Sequence, residues 1–336
     1  MKILTVVVPS YNSEAFLHSC VESLVAGGER MDVLIVDDGS KDNTGAIADE
    51  LAAEYPAIVR VIHQENGGHG EGINQGIRHA QGRFLKVVDS DDHLGEDLPA
   101  FLDLLEGPAY DADLVLNNYV YKYSDGRPDY VKSYKKYFPE GRIFSWDEME
   151  KSFEIDQFLM IHACAFRTEV VRGSGVVLPK HVFYEDNLYI VSMLPYTEKV
   201  FYTDKDLYLY TIGREGQSMA MEAIIRRYNH QIQIGEAAFK SCHLDDVKAK
   251  SKKLYKLVYH EIRLLLGLGS NIPRMSDAED AEEGRKKMWE NCYAYDKKYA
   301  RKMHADFLWV LNIPGKPGKA VARGIYKLAH KIINFN

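Results

Sequence analysis

The most constraining feature of this chain is a rhythm in its first ninety residues. Short apolar, β-branched runs at residues 3–8, 33–36, 59–62 and 84–88 alternate with stretches of helical spacing. A strand whose residues are nearly all apolar has no face left for water, which suits a parallel strand covered by helices on both sides. Parallel neighbours also need a long crossover, and the intervening stretches supply one. In the first, residues 12–28, Phe16, Cys20 and Leu24 recur on one helical face. Asn12 or Ser13 is expected to cap its start, and Gly27-Gly28 to stop it. The second helix is expected at 43–54, with Ile47 and Leu51 inward and Pro56 beyond it. The third, at 70–80, places Ile73 and Ile77 one turn apart. Strand, helix, strand, helix at this spacing predicts a doubly wound, mostly parallel α/β sheet.

The pattern then changes. Asp125-Gly126 sits between two tyrosine-rich alternating runs, a hairpin signal. From about residue 219 the spacing is helical, so the expected division is a sheet domain over 1–215 and a helical C-terminal region over 216–336. Of the 336 residues, 46% are hydrophobic, enough for a sizeable core. A net charge of −7 argues against a nucleic-acid partner held by overall positive potential. Cys20, Cys164, Cys242 and Cys292 form no CxxC pair and read as reduced thiols of a cytoplasmic protein. The first apolar run is too short for a signal-peptide core or a membrane span.

In a doubly wound sheet, ligands sit beyond the carboxyl ends of the strands where the strand order reverses. With the first strand central, three strand ends meet there, carrying "PSYN" (9–12), "DDGS" (37–40) and "DSDD" (89–92). No GxGxxG follows the first strand, so the dinucleotide fingerprint is absent. Asp89, Asp91 and Asp92 repel one another, and a divalent cation, Mn2+ or Mg2+, would relieve that repulsion while a phosphate completed its shell. A lone acidic triplet is more often a solvated turn that caps the next helix. Its position opposite two other polar strand ends favours the ligand reading.

Together, "VVVPSYN", "LIVDDGSKDNT", "ENGGHGEGINQGIRHAQGRFLKVVDSDD" and "FYEDNLYI" resemble the family 2 glycosyltransferases, inverting nucleotide-sugar enzymes of Rossmann-like GT-A fold, in order and spacing across residues 1–215. The resemblance implies that Pro9, Tyr11 and Glu14 flank the base or ribose and that Asp37 and Asp38 bond the base edge. It places Asn66, Gly67 and Asn74 of the glycine-rich loop in the nucleotide pocket. Asp89 would meet ribose or sugar hydroxyls, and Asp91 would hold the metal. Asp92 would bind metal through water or orient its neighbours. His162 would complete the metal shell or line the acceptor pocket, with a satisfied core histidine as the alternative. The family often carries Arg where Ile73 stands, so His69, Asn74 or Lys86 would have to supply that donor contact.

Asp186 would be the general base, with Glu185 beside it, and Arg214, Gln217 and Ser218 would face the diphosphate or acceptor. The implied reaction moves a sugar from a nucleotide-sugar donor, a UDP-sugar first of all, to a saccharide or lipid-linked saccharide acceptor of a cell-envelope or surface polysaccharide. A non-catalytic nucleotide-sugar-binding module and a sugar nucleotidyltransferase are the alternatives. The latter is disfavoured because "PSYNSEAF" lacks a Gly- and Lys/Arg-rich phosphate loop. Residues 301–336 hold seven Lys or Arg against Asp306, interleaved with apolar residues. That pattern suits either peripheral contact with the inner face of an anionic membrane or a docking helix with a solvated basic face.

Overall fold

The computed structural model describes residues 2–213 and 221–306, together with 313, 317, 318, 320, 321 and 324. The chain forms two compact units. The first takes Met1–Lys151, Leu159–Val182 and Tyr196–Gly213; the second takes Ser152–Phe158, Phe183–Pro195 and the residues from Arg214 onward. Two short segments within 1–215 therefore belong to the second unit, and neither carries a strand of the sheet.

The strands of the first unit are β1 (Leu4–Ser10), β2 (Met31–Asp37), β3 (Val59–His63), β4 (Phe84–Val87), β5 (His93–Leu94), β6 (Leu114–Tyr123), β7 (Tyr130–Lys132), β8 (Ile143–Phe144), β9 (Cys164–Arg167) and β10 (Val200–Ile212). They form one sheet in the order β3-β2-β1-β4-β9-β6-β10-β5, with β7 added to β6 and β8 to β10. β1 lies between β2 and β4, parallel to both, as the strand-end argument requires. β4 and β6 each pair antiparallel with β9, so the sheet is mixed on that side. The tyrosine-rich hairpin is real: β6 and β7 pair antiparallel, and Gly126 takes a positive φ of 82°. β10 is an internal strand between β6 and β5.

β1 and β2 are buried at every position. Each fully buried Val, Leu or Ile there contributes about 1.5–3 kcal/mol relative to exposure. β3 closes the sheet and is only partly buried, so its apolar run overstated its cover. Helices α1 (Leu17–Val25), α2 (Thr44–Glu54), α3 (His69–His79), α4 (Leu98–Glu106) and α5 (Thr168–Ser174) complete the unit. α1 starts later than expected and has no side-chain cap. Asn12 adopts a left-handed φ of 50° and instead accepts a bond from Lys41 N at 2.8 Å.

α3 sits hard against β1. A Cβ at Gly76 would stand 2.3 Å from Val7 Cγ2, closer than real Cβ atoms come. Gly76→Ala should therefore cost about 1–3 kcal/mol of stability, read as a lower urea midpoint. An unchanged midpoint would mean that α3 is not seated this closely.

The second unit is helical: α6 (Glu185–Met193), α7 (Met221–Arg226), α8 (Tyr228–Lys240), α9 (Leu244–Lys250), α10 (Lys252–Asn271), α11 (Ala281–Tyr295) and α12 (Lys297–Ala305). Ser251 caps α10 through Leu254 N at 3.1 Å, and Asp296 caps α12 through Tyr299 N at 3.0 Å. Ile224, Ile272 and Met275 form a buried cluster against which Tyr184, Ile225 and Tyr228 pack. Among the described residues no helix is long and apolar enough to cross a membrane.

Candidate active site

The first two strand ends are laced together. Asn12 N donates to Ser40 Oγ at 3.1 Å, and Glu14 Oε2 accepts from both nitrogens of Asn43 at 2.9 Å. Ser13 Oγ lies 2.7 Å from Ser90 Oγ, which joins the β1 end to the turn after β4. Tyr11 stands half exposed just beyond the buried Pro9. The ends of β1, β2 and β4 thus form one rim.

Asp37 ends β2. Its carboxylate accepts Ser40 N at 3.1 Å and His63 Nδ1 at 2.9 Å. Burial pushes its pKa up, but the bonds from Ser40 and His63 outweigh that and hold it below the usual carboxylate value. His63 is raised in turn, first by Asp37 and then by Asp49. A raised histidine stabilises the fold below its unfolded value near 6.5, and that contribution disappears as pH rises through the folded value. Because 48% of the His63 side chain is exposed, the effect is small. His63→Gln should cost about 0.2–1 kcal/mol near pH 5.5 and almost nothing above pH 8, measured by denaturation at both values. A pH-independent cost would contradict the pairing.

Asp38 is 3% exposed. Its oxygens accept Gln64 Nε2 at 2.6 Å and the backbone N–H groups of Gly67 and Gly68, both at 2.7 Å. Asn66 Nδ2 donates to the Asp38 carbonyl at 2.9 Å. Asp38 therefore shapes the glycine-rich loop. Gly68 needs its freedom there: φ is 84°, and a Cβ would stand 2.9 Å from His181 N.

At the end of β4, one ligand atom from each of Asp89, Asp92 and His162 lies within 4.8 Å of the others. His162 arrives on a one-turn 3-10 helix, Ile161–Ala163, and its ring packs tilted against Tyr208 and Tyr210, with centroids 4.3 Å and 4.5 Å away. Asp92 is fully buried and accepts Tyr208 OH at 2.7 Å and Thr211 N at 2.9 Å. Burial, then the charges of Asp89 and Asp91, pushes the Asp92 pKa well up. Burial pushes His162 down to about 4, so it is neutral at pH 7. Its Nδ1 is buried without a hydrogen-bond partner among the described residues.

A buried imidazole with a partnerless nitrogen, grouped within 4.8 Å of two mutually repelling carboxylates, fits a divalent cation, and this O,O,N donor set suits Mn2+ or Mg2+. Asp91 lies next to this group, part exposed, and its charge acts on both Asp92 and Cys20.

Of the three candidates for the contact of the missing Arg, His69 alone stands by the Asp89 carboxylate. Ile73 is buried. The Asn74 side chain is committed to the backbone of Leu178, donating to its carbonyl at 3.0 Å and accepting its N–H at 2.9 Å. Lys86 is 1% exposed and turned onto carbonyls. His69 stands by the carboxylates, with Nε2 2.9 Å from Asp89 Oδ1 and a side chain 35% exposed. The bonding of Tyr208 and Thr211 to Asp92 was not foreseen; the alternating "YLYT" run at 208–211 was its one local signal.

The acidic pair lies in the second unit. Glu185 and Asp186 open α6, behind Tyr184 at a φ of 70°. Glu185 is 2% exposed, and Asp186 accepts from Asn187 Nδ2 at 2.9 Å. Both carboxylates sit where the helix dipole favours negative charge. Arg214, Gln217 and Ser218 lie outside the described residues.

The Glycosyl transferase family 2 profile matches residues 5–172. Glycosyltransferase GlyG of Streptococcus pneumoniae is 40% identical over 128 residues, 37% of this chain and 42% of that protein. Uncharacterized glycosyltransferase EpsJ of Bacillus subtilis is 28% identical over 214 residues, 62% of this chain and 60% of that protein. The chain thus spans less than two thirds of the length of either relative. Among solved structures, S. aureus TarS 1–349 in complex with UDP-GlcNAc matches with a TM-score of 0.67 and 19% identity, covering 97% of this chain and 92% of that one. Mannosyltransferase PcManGT from Pyrobaculum calidifontis, in complex with GDP-Man and Mn2+, matches with a TM-score of 0.55 and 15% identity, covering 98% and 86%. These likenesses show a shared GT-A fold.

Proposed function

Because this chain belongs to glycosyl transferase family 2, we propose that it transfers a sugar from a nucleotide-sugar to an acceptor hydroxyl. The observation that carries the reading is the grouping of Asp89, Asp92 and His162 where the ends of β1, β2 and β4 share one rim. UDP-sugars are the first donors to try, since TarS was solved with UDP-GlcNAc. Asp37 and the loop held by Asp38 line the base side, with Tyr11 and Glu14 across the rim. Asp89, Asp91, Asp92 and His162 would hold Mn2+ or Mg2+. Such an ion supplies positive charge against the departing diphosphate.

The acceptor oxygen bonds to the anomeric carbon as the carbon–oxygen bond to the diphosphate breaks on the opposite face, which inverts the centre. Asp186 takes the acceptor proton, with Glu185 beside it. Acceptors of the cell-envelope or surface-polysaccharide class, free or lipid-linked, fit the family reading. The basic tail falls mostly outside the described residues, and peripheral membrane contact through it stays part of this proposal. Release of UDP from a panel of UDP-sugars, with Mn2+ and with a chelator, tests the reading. Cation-dependent UDP release supports it. UDP binding without release from any sugar donor would favour the binding-module alternative.

A further inference from the structure

We propose that Lys86 is a positioning residue whose buried Nζ fixes the turn bearing His162 to the strand that leads into Asp89. This rests on the reading of Asp89, Asp92 and His162 as a cation site.

β4 and β9 pair only at Phe84↔Arg167 and Leu85↔Phe166. The ladder then ends, and the chain before Cys164 turns through the 3-10 helix Ile161–Ala163. Lys86, the next residue of β4, reaches into that gap. Its Nζ donates to His162 O at 2.6 Å, Asn117 Oδ1 at 3.1 Å and Cys164 O at 3.4 Å. Burial lowers the Lys86 pKa to about 7, and the three oxygens that meet Nζ match the three N–H donors of its ammonium form. Asn117 Nδ2 adds a second donor to His162 O at 3.3 Å.

Burying a lysine head is costly unless its donors are satisfied, so an apolar residue would be the simpler choice at a purely structural position. Here the shortest of the three bonds goes to the backbone of the one histidine in the cation group. Lys86 also lies on β4 three residues before Asp89, which follows the end of that strand. One side chain thereby couples two segments about seventy residues apart that must meet to make the site. Outer partners of this kind typically change metal affinity about 10–100-fold when removed.

Mn2+ binding to the whole protein is titrated with UDP present, following free Mn2+ by its EPR signal. The variants are Lys86→Met and Lys86→Gln. Arg172→Ala is the destabilised control, since Arg172 bonds the carbonyls of Ile77, Arg78 and Ala80. Lys86→Met should weaken Mn2+ binding about 10–100-fold, Lys86→Gln by less, and the control by no more than about twofold. Excess Mn2+ should restore most of the turnover of Lys86→Met. Wild-type Mn2+ affinity in a folded Lys86 variant, or an equal loss in the control, would overturn the proposal. If Lys86→Met does not fold, the Lys86→Gln titration decides. Absence of Mn2+ binding by the wild type would instead bring down the cation-site reading, and this proposal with it.

Discussion

Alanine in place of Asp89 is expected to lower cation-dependent sugar transfer about a thousandfold. Asp89 belongs to the cation group, and its carboxylate is also 2.9 Å from His69 Nε2. Removing it takes away one hard oxygen donor and leaves Asp91 with a buried Asp92 and a neutral His162, one carboxylate short of the set that would hold Mn2+ against water. Asp91→Ala should follow it, because the family resemblance makes Asp91 a direct metal carboxylate. The two losses should not add, since both act through the same ion. The measurement is the initial rate of UDP release at saturating donor, over a range of Mn2+. Rates within tenfold of wild type for both variants would move the ion to other residues. Asp92 predicts differently: it also holds Tyr208 and Thr211, so Asp92→Ala should lower stability as well as rate.

The second large effect is at Asp186. Asp186→Asn keeps size and the bond to Asn187 but cannot take a proton, so turnover should fall about 10²–10⁴-fold with UDP-sugar affinity nearly unchanged. Calorimetry gives the affinity, and UDP release gives the rate. The pH profile is a second readout, because the limb that reports the base should vanish. Donor affinity lost in parallel with rate would take Asp186 out of the base role and leave it a dipole-favoured helix start.

The parallel half of the sheet was legible because it rests on local chemistry. Apolar runs such as 3–8 and 33–36 have one stable use, and Ile73 and Ile77 one turn apart mark α3; its close seat on β1 at Gly76 emerges from the structure. The mixed half was less legible. β9 pairs antiparallel between β4 and β6 through contacts far apart in sequence, and no local pattern in "CAFR" announces that placement. The same limit applies to the site. "DSDD" and "DDGS" stood out as polar strand ends, but the different work of Asp37 and Asp38 depends on His63 and on the backbone of Gly67 and Gly68. His162 was read as metal ligand, acceptor-pocket lining or core histidine; its placement beside Asp89 and Asp92 depends on a turn that tertiary contacts fix. The segments 152–158 and 183–195 belong to the second unit although the sheet unit flanks both, a division set by long-range contacts.

The central claim is that one divalent cation binds among Asp89, Asp91, Asp92 and His162 together with a nucleoside diphosphate. Crystals grown with Mn2+ and UDP, measured at the manganese absorption edge, test it most directly. The account predicts one strong anomalous peak in coordination contact with at least two of those side chains and with the diphosphate. Bound UDP with its diphosphate distant from these residues, or a peak on another face of the protein, would contradict it.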